Sequence, residues 1–316
     1  MPKIAILDDY TNLALTMADW ASLPAEYQTV VFDDNLVEPV ALAERLRDFE
    51  IICAMRERTP FSAEIFEHLP NLKLFVTTGM RNASVDVEAA RAKGVVVCGT
   101  HGSAWATAEH TWALLQASAR NIAHDDRMMR EGKWQTRICL ELRGRTIGIL
   151  GLGKIGSQVA SFAKAFGMEI IAWSQNLTQE RCNEFGAELV RKQDLFRRAD
   201  FICIHMVLSD RSRGLVTAAE LALMKPDAFL VNTSRGPIID QAALLQTLQA
   251  GAIRGAALDV YDVEPLPTEH PYRSLENVVL SPHMGYVTEE TYKMFHGHAV
   301  ENIQAWHDGT PIRQLA

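Results

Sequence analysis

Ile147-Gly148-Ile149-Leu150-Gly151-Leu152-Gly153-Lys154-Ile155-Gly156-Ser157 runs from an aliphatic stretch through the spacing G-x-G-x-x-G into the helically spaced Val159, Ala160, Phe162 and Ala163. The order strand, glycine turn, helix gives the triplet its weight. Gly151 permits a tight turn, Gly153 lets the backbone approach a pyrophosphate, and Gly156 lets the helix pack close to the strand. The helix N-terminus adds unpaired amides and a partial positive charge, so a dinucleotide is the expected ligand; a tight βα turn without a ligand is the plainer reading.

After this turn and helix the next strand is expected at residues 169–173, roughly where an acid would bind the adenosine ribose of NAD. It ends instead in Trp173-Ser174-Gln175-Asn176, with no carboxylate. Ser174 and Gln175 are the candidate ribose contacts, and they suit either a ribose hydroxyl or a 2'-phosphate. The nearest following cation, Arg181, stands apart from the strand end. NAD is therefore the expected cofactor, with NADP left open.

Further strands in this series are expected at residues 146–150, 201–205, 228–233, 256–260 and 278–280, each followed by a turn or a helical segment. An earlier series, at residues 4–7, 29–32, 51–54, 72–77 and 95–98, alternates with amphipathic segments such as 40–48 and 85–93, with Gly94 as a helix C-cap. A long helix is expected between the two series, about 104–129, and another at about 288–308. The fold class expected is α/β, with two doubly wound parallel-sheet domains and a cleft between them. Residues 103–286 form a Rossmann dinucleotide-binding domain, and residues 1–102 with 287–316 a smaller flavodoxin-like substrate domain. The final helix returns to the first domain in this arrangement; packing on its own domain is the alternative.

Length and composition agree with this plan. A chain of 316 residues is long for one core and suits two domains, and 48% hydrophobic with 22% charged residues is the balance of a folded globular protein. A formal charge of -8, with cations scattered among acids, argues against nucleic acid as a partner. The five cysteines are widely spaced, and Cys53 and Cys203 stand in apolar runs, so they read as small buried hydrophobes; no Cys/His spacing suggests a metal site. No apolar run is long enough for a membrane span or a signal peptide, and a cytoplasmic setting is expected.

Three segments place a charged or titratable residue just past an expected strand end: Asn232-Thr233-Ser234-Arg235-Gly236, Asp259-Val260-Tyr261-Asp262-Val263-Glu264-Pro265, and Ser281-Pro282-His283. Ligands of open α/β sheets bind at that edge. Taken singly, Arg235 reads as a turn cap, Glu264 as a solvated acid and His283 as a core histidine.

Together with the glycine turn, with Asp240 and Leu244, with Leu266-Pro267, with Met284-Gly285, and with Thr107-Ala108-Glu109-His110, these segments resemble the D-isomer-specific 2-hydroxyacid dehydrogenases. The resemblance spans nearly the whole chain, with the motifs in the family's order. It implies interconversion of a small 2-oxo acid and its D-2-hydroxy acid, glyoxylate- or hydroxypyruvate-like or larger, by hydride exchange with NAD(P)H. It implies that His283 gives the proton, that Glu264 orients the imidazole, and that the planar fork of Arg235 binds the carboxylate or keto oxygen. It further implies that Asp259 contacts the nicotinamide amide, that Thr233 and His205 line the cofactor cleft, and that Thr107 with the amides near Lys154 and Ile155 holds the pyrophosphate. A homodimer is the family's usual assembly, and the stretch Trp105 to Trp112 is a candidate part of the interface.

Two departures from the family pattern stand out. The small loop that cradles the substrate carboxylate reads Thr77-Thr78-Gly79-Met80-Arg81-Asn82 here, with Arg81 in place of a small residue. Arg81 either adds a cation for a larger or doubly charged acid or points to solvent; Gly79, Met80 and the nearby Arg56 complete the candidate substrate set. The usual proline after His205 is also missing. Formate dehydrogenase carries an amide where Glu264 stands, which disfavours that reading. A catalytically weak, cofactor-sensing binding protein of the same fold is the rival from another functional class.

Overall fold

The computed structural model describes residues 1–315. The first aliphatic runs form β1 (Lys3–Ile6), β2 (Gln28–Val31), β3 (Ile51–Ala54), β4 (Leu74–Thr77) and β5 (Val96–Gly99), interleaved with α1 (Pro39–Leu46), α2 (Ala63–Glu67) and α3 (Val87–Ala92). Helix starts follow local chemistry. Glu38 accepts from the amides of Val40 and Ala41 with Pro39 in the first turn, and Asp86 accepts from Ala89 N. Both carboxylates satisfy amides that a helix start leaves without partners. Gly94, at φ +76°, ends α3.

All pairings are parallel in the order β2-β1-β3-β4-β5. Side chains alternate between the faces, as a period of two requires. Ala5, Ile52, Phe75 and Val97 belong to one apolar cluster, while Ile4, Ile6, Ile51, Cys53, Leu74 and Val76 belong to the other.

The second series opens with α4 (Ala104–Ala119) and α5 (Ile122–Arg130), followed by β6 (Thr146–Leu150), α6 (Lys154–Ala165), β7 (Glu169–Trp173), α7 (Gln179–Asn183), β8 (Glu188–Leu189), α8 (Lys192–Arg198), β9 (Phe201–Ile204), α9 (Ala218–Leu221), β10 (Phe229–Asn232), α10 (Gln241–Gln249), β11 (Gly255–Leu258) and β12 (Val278–Leu280). The sheet is parallel and ordered β12-β11-β10-β9-β6-β7-β8. Strand β6, an interior strand, is flanked by β7, next in sequence, and by β9, reached only after the chain has left for β8. The strand order therefore reverses beside β6, and the glycine turn stands at that reversal. On β9, Phe201 and Cys203 face one apolar cluster while Ile202 and Ile204 face the other.

Two expectations are corrected. The single helix expected over 104–129 is two helices, because Asn121 adopts the left-handed conformation at φ +53° and breaks the ladder. The seventh strand of this sheet, β8, was not expected; two residues are too few for an alternation signal.

The last helix is α11 (Glu289–His307). Contacts divide the protein into two compact units, Met1–Ser103 with Thr288–Ala316, and Ala104–Val287. Ala299 and Ile303 of α11 pack into the same cluster as Ile4, Ile6 and Leu74. Among the described residues, no helix is long and apolar enough to cross a membrane, and no group of three or more His, Cys, Asp or Glu is placed to hold a metal ion.

Candidate active site

The glycine turn is fixed by close approach. Gly151 has φ +104°, and a Cβ built on it would lie 2.7 Å from His205 O. A Cβ on Gly156 would lie 2.1 Å from Gly151 O, a clash with backbone that no rotamer relieves. Gly153 differs. No atom stands within 4 Å of its built Cβ, and no side chain caps the first amides of α6, which begins at Lys154. Open space over uncapped amides at a helix N-terminus fits a phosphate.

His205 follows β9 beside this turn, with its amide on Leu150 O at 2.8 Å. Its Nε2 is buried and has no hydrogen-bond partner among the described residues. Burial pushes the ring down to about 3, so it is neutral. The residues present therefore fit a dinucleotide: an open phosphate cradle and a buried nitrogen awaiting a polar partner. Past β7, Ser174 is half-buried and Gln175 exposed. Arg181 is engaged by Glu184 and lies 4.5 Å from the Phe185 ring centroid.

The loop after β10 is folded on Asn232. Its Nδ2 donates to Arg235 O at 3.0 Å, and its Oδ1 accepts from Ser234 N at 3.0 Å. Ser234 Oγ donates to Met206 O. The Arg235 guanidinium, half-buried, donates to Ser234 O at 2.7 Å. Thr233 is buried, its hydroxyl 2.6 Å from that of Thr111 on α4.

Gly236 brings this loop against the one that carries Glu264. A Cβ there would lie 2.2 Å from Tyr261 C and 2.5 Å from Asp262 N. Glu264 is held at both oxygens. Oε1 accepts from Tyr261 N at 2.9 Å, and Oε2 lies 2.5 Å from His283 Nδ1. The single Tyr261 OH hydrogen is shared between Leu258 O and Ser281 O at 2.9 and 3.0 Å, tying the loop to the ends of β11 and β12. His283 has φ +57°, uncommon for a residue other than glycine, and its ring meets Tyr286 edge-on with centroids 5.6 Å apart. No hydrogen bond reaches its Nε2 from the described residues.

Asp259 lies fully buried at the end of β11. Its Oδ1 accepts from His110 Nε2 (3.1 Å), Ser281 Oγ (2.5 Å) and Met284 N (2.7 Å), and its Oδ2 from Gly285 N (2.9 Å). Burial alone would raise its pKa, but the bonds from His110 and Ser281 outweigh it and hold the carboxyl below its ordinary value. Thr107 sits near the same loop, its Cγ2 3.4 Å from a Cβ built on Gly285. The sequence assigned no role to His110 or Ser281. The available signal was helical spacing: Thr107, His110 and Thr111 stand at i, i+3 and i+4 and share one face of α4.

In the first unit, Arg56 has φ +51°, donates from its amide to Thr78 Oγ1 at 2.8 Å, and donates from Nη1 to Thr78 O at 3.3 Å. Gly79 has φ +98°, and a Cβ there would lie 2.0 Å from Arg56 Nη1. The guanidinium packed on this loop is that of Arg56. Arg81 is exposed, as is Met80.

The sequence matches the description "D-isomer specific 2-hydroxyacid dehydrogenase, NAD binding domain" over residues 112–285. It is 41% identical over 256 residues to a glyoxylate reductase of Aeropyrum pernix, covering 78% of this chain and 76% of that one. It is 39% identical over 256 residues to a D-3-phosphoglycerate dehydrogenase of Methanocaldococcus jannaschii, covering 80% of this chain but 48% of that one, so this chain spans about half that relative's length. The crystal structure of a phosphoglycerate oxidoreductase from Vibrio cholerae superposes with a TM-score of 0.92 at 38% identity, covering 98% of this chain and 100% of that one. Matched by the family description over more than half its residues and by relatives along most of its length, the chain belongs to the D-isomer specific 2-hydroxyacid dehydrogenases, NAD-dependent oxidoreductases.

Proposed function

We propose that this chain reduces a small 2-oxo acid, glyoxylate- or hydroxypyruvate-like, to its D-2-hydroxy acid, with His283 as the proton donor, and runs the reverse oxidation through the same groups. The observation that carries this reading is the contact of Glu264 Oε2 with His283 Nδ1 at 2.5 Å. An ionised carboxylate only accepts, so Nδ1 carries a hydrogen and Nε2 is the end that trades a proton. The imidazolium donates from Nε2 to the nascent alkoxide, and the neutral ring accepts there in oxidation. Glu264 fixes the ring and balances its charge in the doubly protonated form.

Arg235 holds the substrate carboxylate or keto oxygen through its planar fork. Arg56 and Gly79 are proposed substrate contacts in the first unit. Met80 and Arg81 are exposed, and their proposed role is limited to a larger acid.

A bound nicotinamide dinucleotide would supply or accept the hydride. Gly151, Gly153, Gly156 and the first amides of α6 at Lys154 and Ile155 would hold its pyrophosphate, with Thr107, Ser174, Gln175, His205, Thr233 and Asp259 as further contacts. NADH is the proposed partner, with NADPH as a second substrate, since the end of β7 offers neither a carboxylate nor an unengaged guanidinium.

The test is absorbance at the nicotinamide band with NADH and NADPH, against glyoxylate, hydroxypyruvate, pyruvate and phenylpyruvate, and with 3-phosphoglycerate in the oxidative direction. Turnover of at least one 2-oxo acid supports the reading. Tight cofactor binding with no turnover of any acid overturns it.

A homodimer is proposed as well. Trp112 is buried against Phe162 and Phe166 and belongs to the core, whereas Trp134 is 74% and Ile138 87% exposed beyond α5. Aromatic and large aliphatic side chains of this kind are enriched where subunits meet. Sedimentation should give a dimer, and Trp134→Asp with Ile138→Asp a monomer.

A further inference from the structure

We propose that His110 is a positioning residue for the catalytic loop, acting through Asp259; this rests on the reading of His283 as the proton-transfer group. His283 keeps a left-handed backbone at φ +57°. The next two amides, Met284 N and Gly285 N, both end on the Asp259 carboxylate, at 2.7 and 2.9 Å. That carboxylate thus grips the backbone on the C-terminal side of His283. Glu264 fixes the ring through Nδ1, and Asp259 fixes the peptide that carries it.

A fully buried carboxylate is costly unless its lone pairs are filled by donors. Ser281 Oγ and His110 Nε2 supply the two side-chain donors to Oδ1, at 2.5 and 3.1 Å. His110 Nε2 also lies 2.9 Å from Ser281 Oγ. Ser281 has one hydrogen, spent on Asp259, so its oxygen accepts from His110. The Nε2 hydrogen of His110 therefore serves both partners, and its ring holds the donor for either the neutral Nε2–H tautomer or the cation. Remove it and Oδ1 loses one donor, and Ser281 Oγ loses the donor that holds its own oxygen.

The link reaches the other half of the pair. Ser281 O accepts from Tyr261 OH, and Tyr261 N donates to Glu264 Oε1. His110 thus stands behind both His283 and Glu264 without touching either. A displacement of the acid on the order of 1 Å is enough to cost about a hundredfold in rate.

The test compares His110→Phe, which keeps a ring and removes the donor, with His110→Gln, which restores an N–H. His110→Ala is the second deletion variant. Hydrogen–deuterium exchange of the peptide spanning 281–287 is read in the full-length protein without substrate. The kcat and KM are read with a 2-oxo acid that the wild type reduces. In the Phe and Ala variants, exchange at Met284 and Gly285 should rise about tenfold or more. Their kcat should fall roughly 10- to 100-fold while substrate KM stays within about threefold. The Gln variant should recover most of both.

Wild-type protection and kcat in the deletion variants would overturn the proposal, as would a Gln variant no better than Phe. A wild-type protein that reduces none of the acids sinks the proposed function instead, and the exchange at 284 and 285 still decides whether His110 positions the loop.

Discussion

Glu264 and His283, 19 residues apart in sequence, meet through Oε2 and Nδ1 at 2.5 Å, with the His283 backbone in a left-handed turn at φ +57°. The pair ties one ring nitrogen to the protein, and the other is the one proposed to exchange the proton. Glu264→Gln keeps the shape but offers Nδ1 a neutral amide that can present either a donor or an acceptor. Both Glu264→Gln and His283→Ala should lower kcat by roughly 10²- to 10⁴-fold, with NADH affinity, read by fluorescence titration, nearly unchanged. Wild-type turnover in either variant would falsify the proton-transfer assignment.

Arg235 depends on Gly236 for its place. The backbone of Tyr261 and Asp262 occupies the space a side chain at Gly236 would need. Gly236→Ala should therefore push the Arg235 and Glu264 loops apart, destabilising the protein by roughly 1–3 kcal/mol and lowering kcat/KM. Arg235→Lys leaves the fold intact and removes the fork. Its kcat/KM should fall nearly as far as that of Arg235→Ala, and a mild effect would move the carboxylate contact to Arg56.

Much of this organisation is legible in the sequence because it is local. The Gly151, Gly153 and Gly156 spacing encodes one turn, and the burial of alternate aliphatic residues marks each strand; Arg235, Glu264 and His283 stand past strand ends that could be read to within a residue or two. Arrangement is less legible. The donors on Asp259 come from positions as far away as His110, 149 residues along the chain, and no local pattern announces that convergence. The contact of Gly236 with Tyr261 is likewise a property of two loops, invisible in either alone. Asn121 shows the opposite limit: it is an ordinary residue inside a helical pattern, and its left-handed backbone appears only in the structure.

Cofactor choice should follow from the end of β7. Without an acid beside Ser174, nothing there repels a 2'-phosphate, and with Arg181 engaged by Glu184 nothing there attracts one strongly. The ratio of kcat/KM for NADH over NADPH should be modest, within about tenfold. Ser174→Asp should widen it by about tenfold or more by placing a carboxylate where the ribose hydroxyls are proposed to bind. An unchanged ratio would show that the ribose end lies elsewhere.

Two buried histidines should weaken the fold as the pH falls. His205 and His296 each have a buried Nε2 without a hydrogen-bond partner among the described residues, and burial pushes their rings down to about 3 and about 4. The charge of Asp9 works against this shift at His296 but does not overcome it. In the unfolded chain each ring takes a proton near the ordinary value of about 6.5. Below that pH the unfolded state binds more protons, so the stability present above it is lost as pH falls toward the folded values. Each ring should cost about 2 kcal/mol of stability between pH 7 and pH 5. Asp259, held below its ordinary value, adds to the loss only at more acidic pH, whereas Asp8, raised by burial, works in the opposite direction. His296→Leu should accordingly lose about 2 kcal/mol less than the wild type over the same interval, read as the difference in urea unfolding free energy at the two pH values. An acid dependence equal to that of the wild type would mean that His296 is protonated in the folded protein, with Asp9 as its counter-ion.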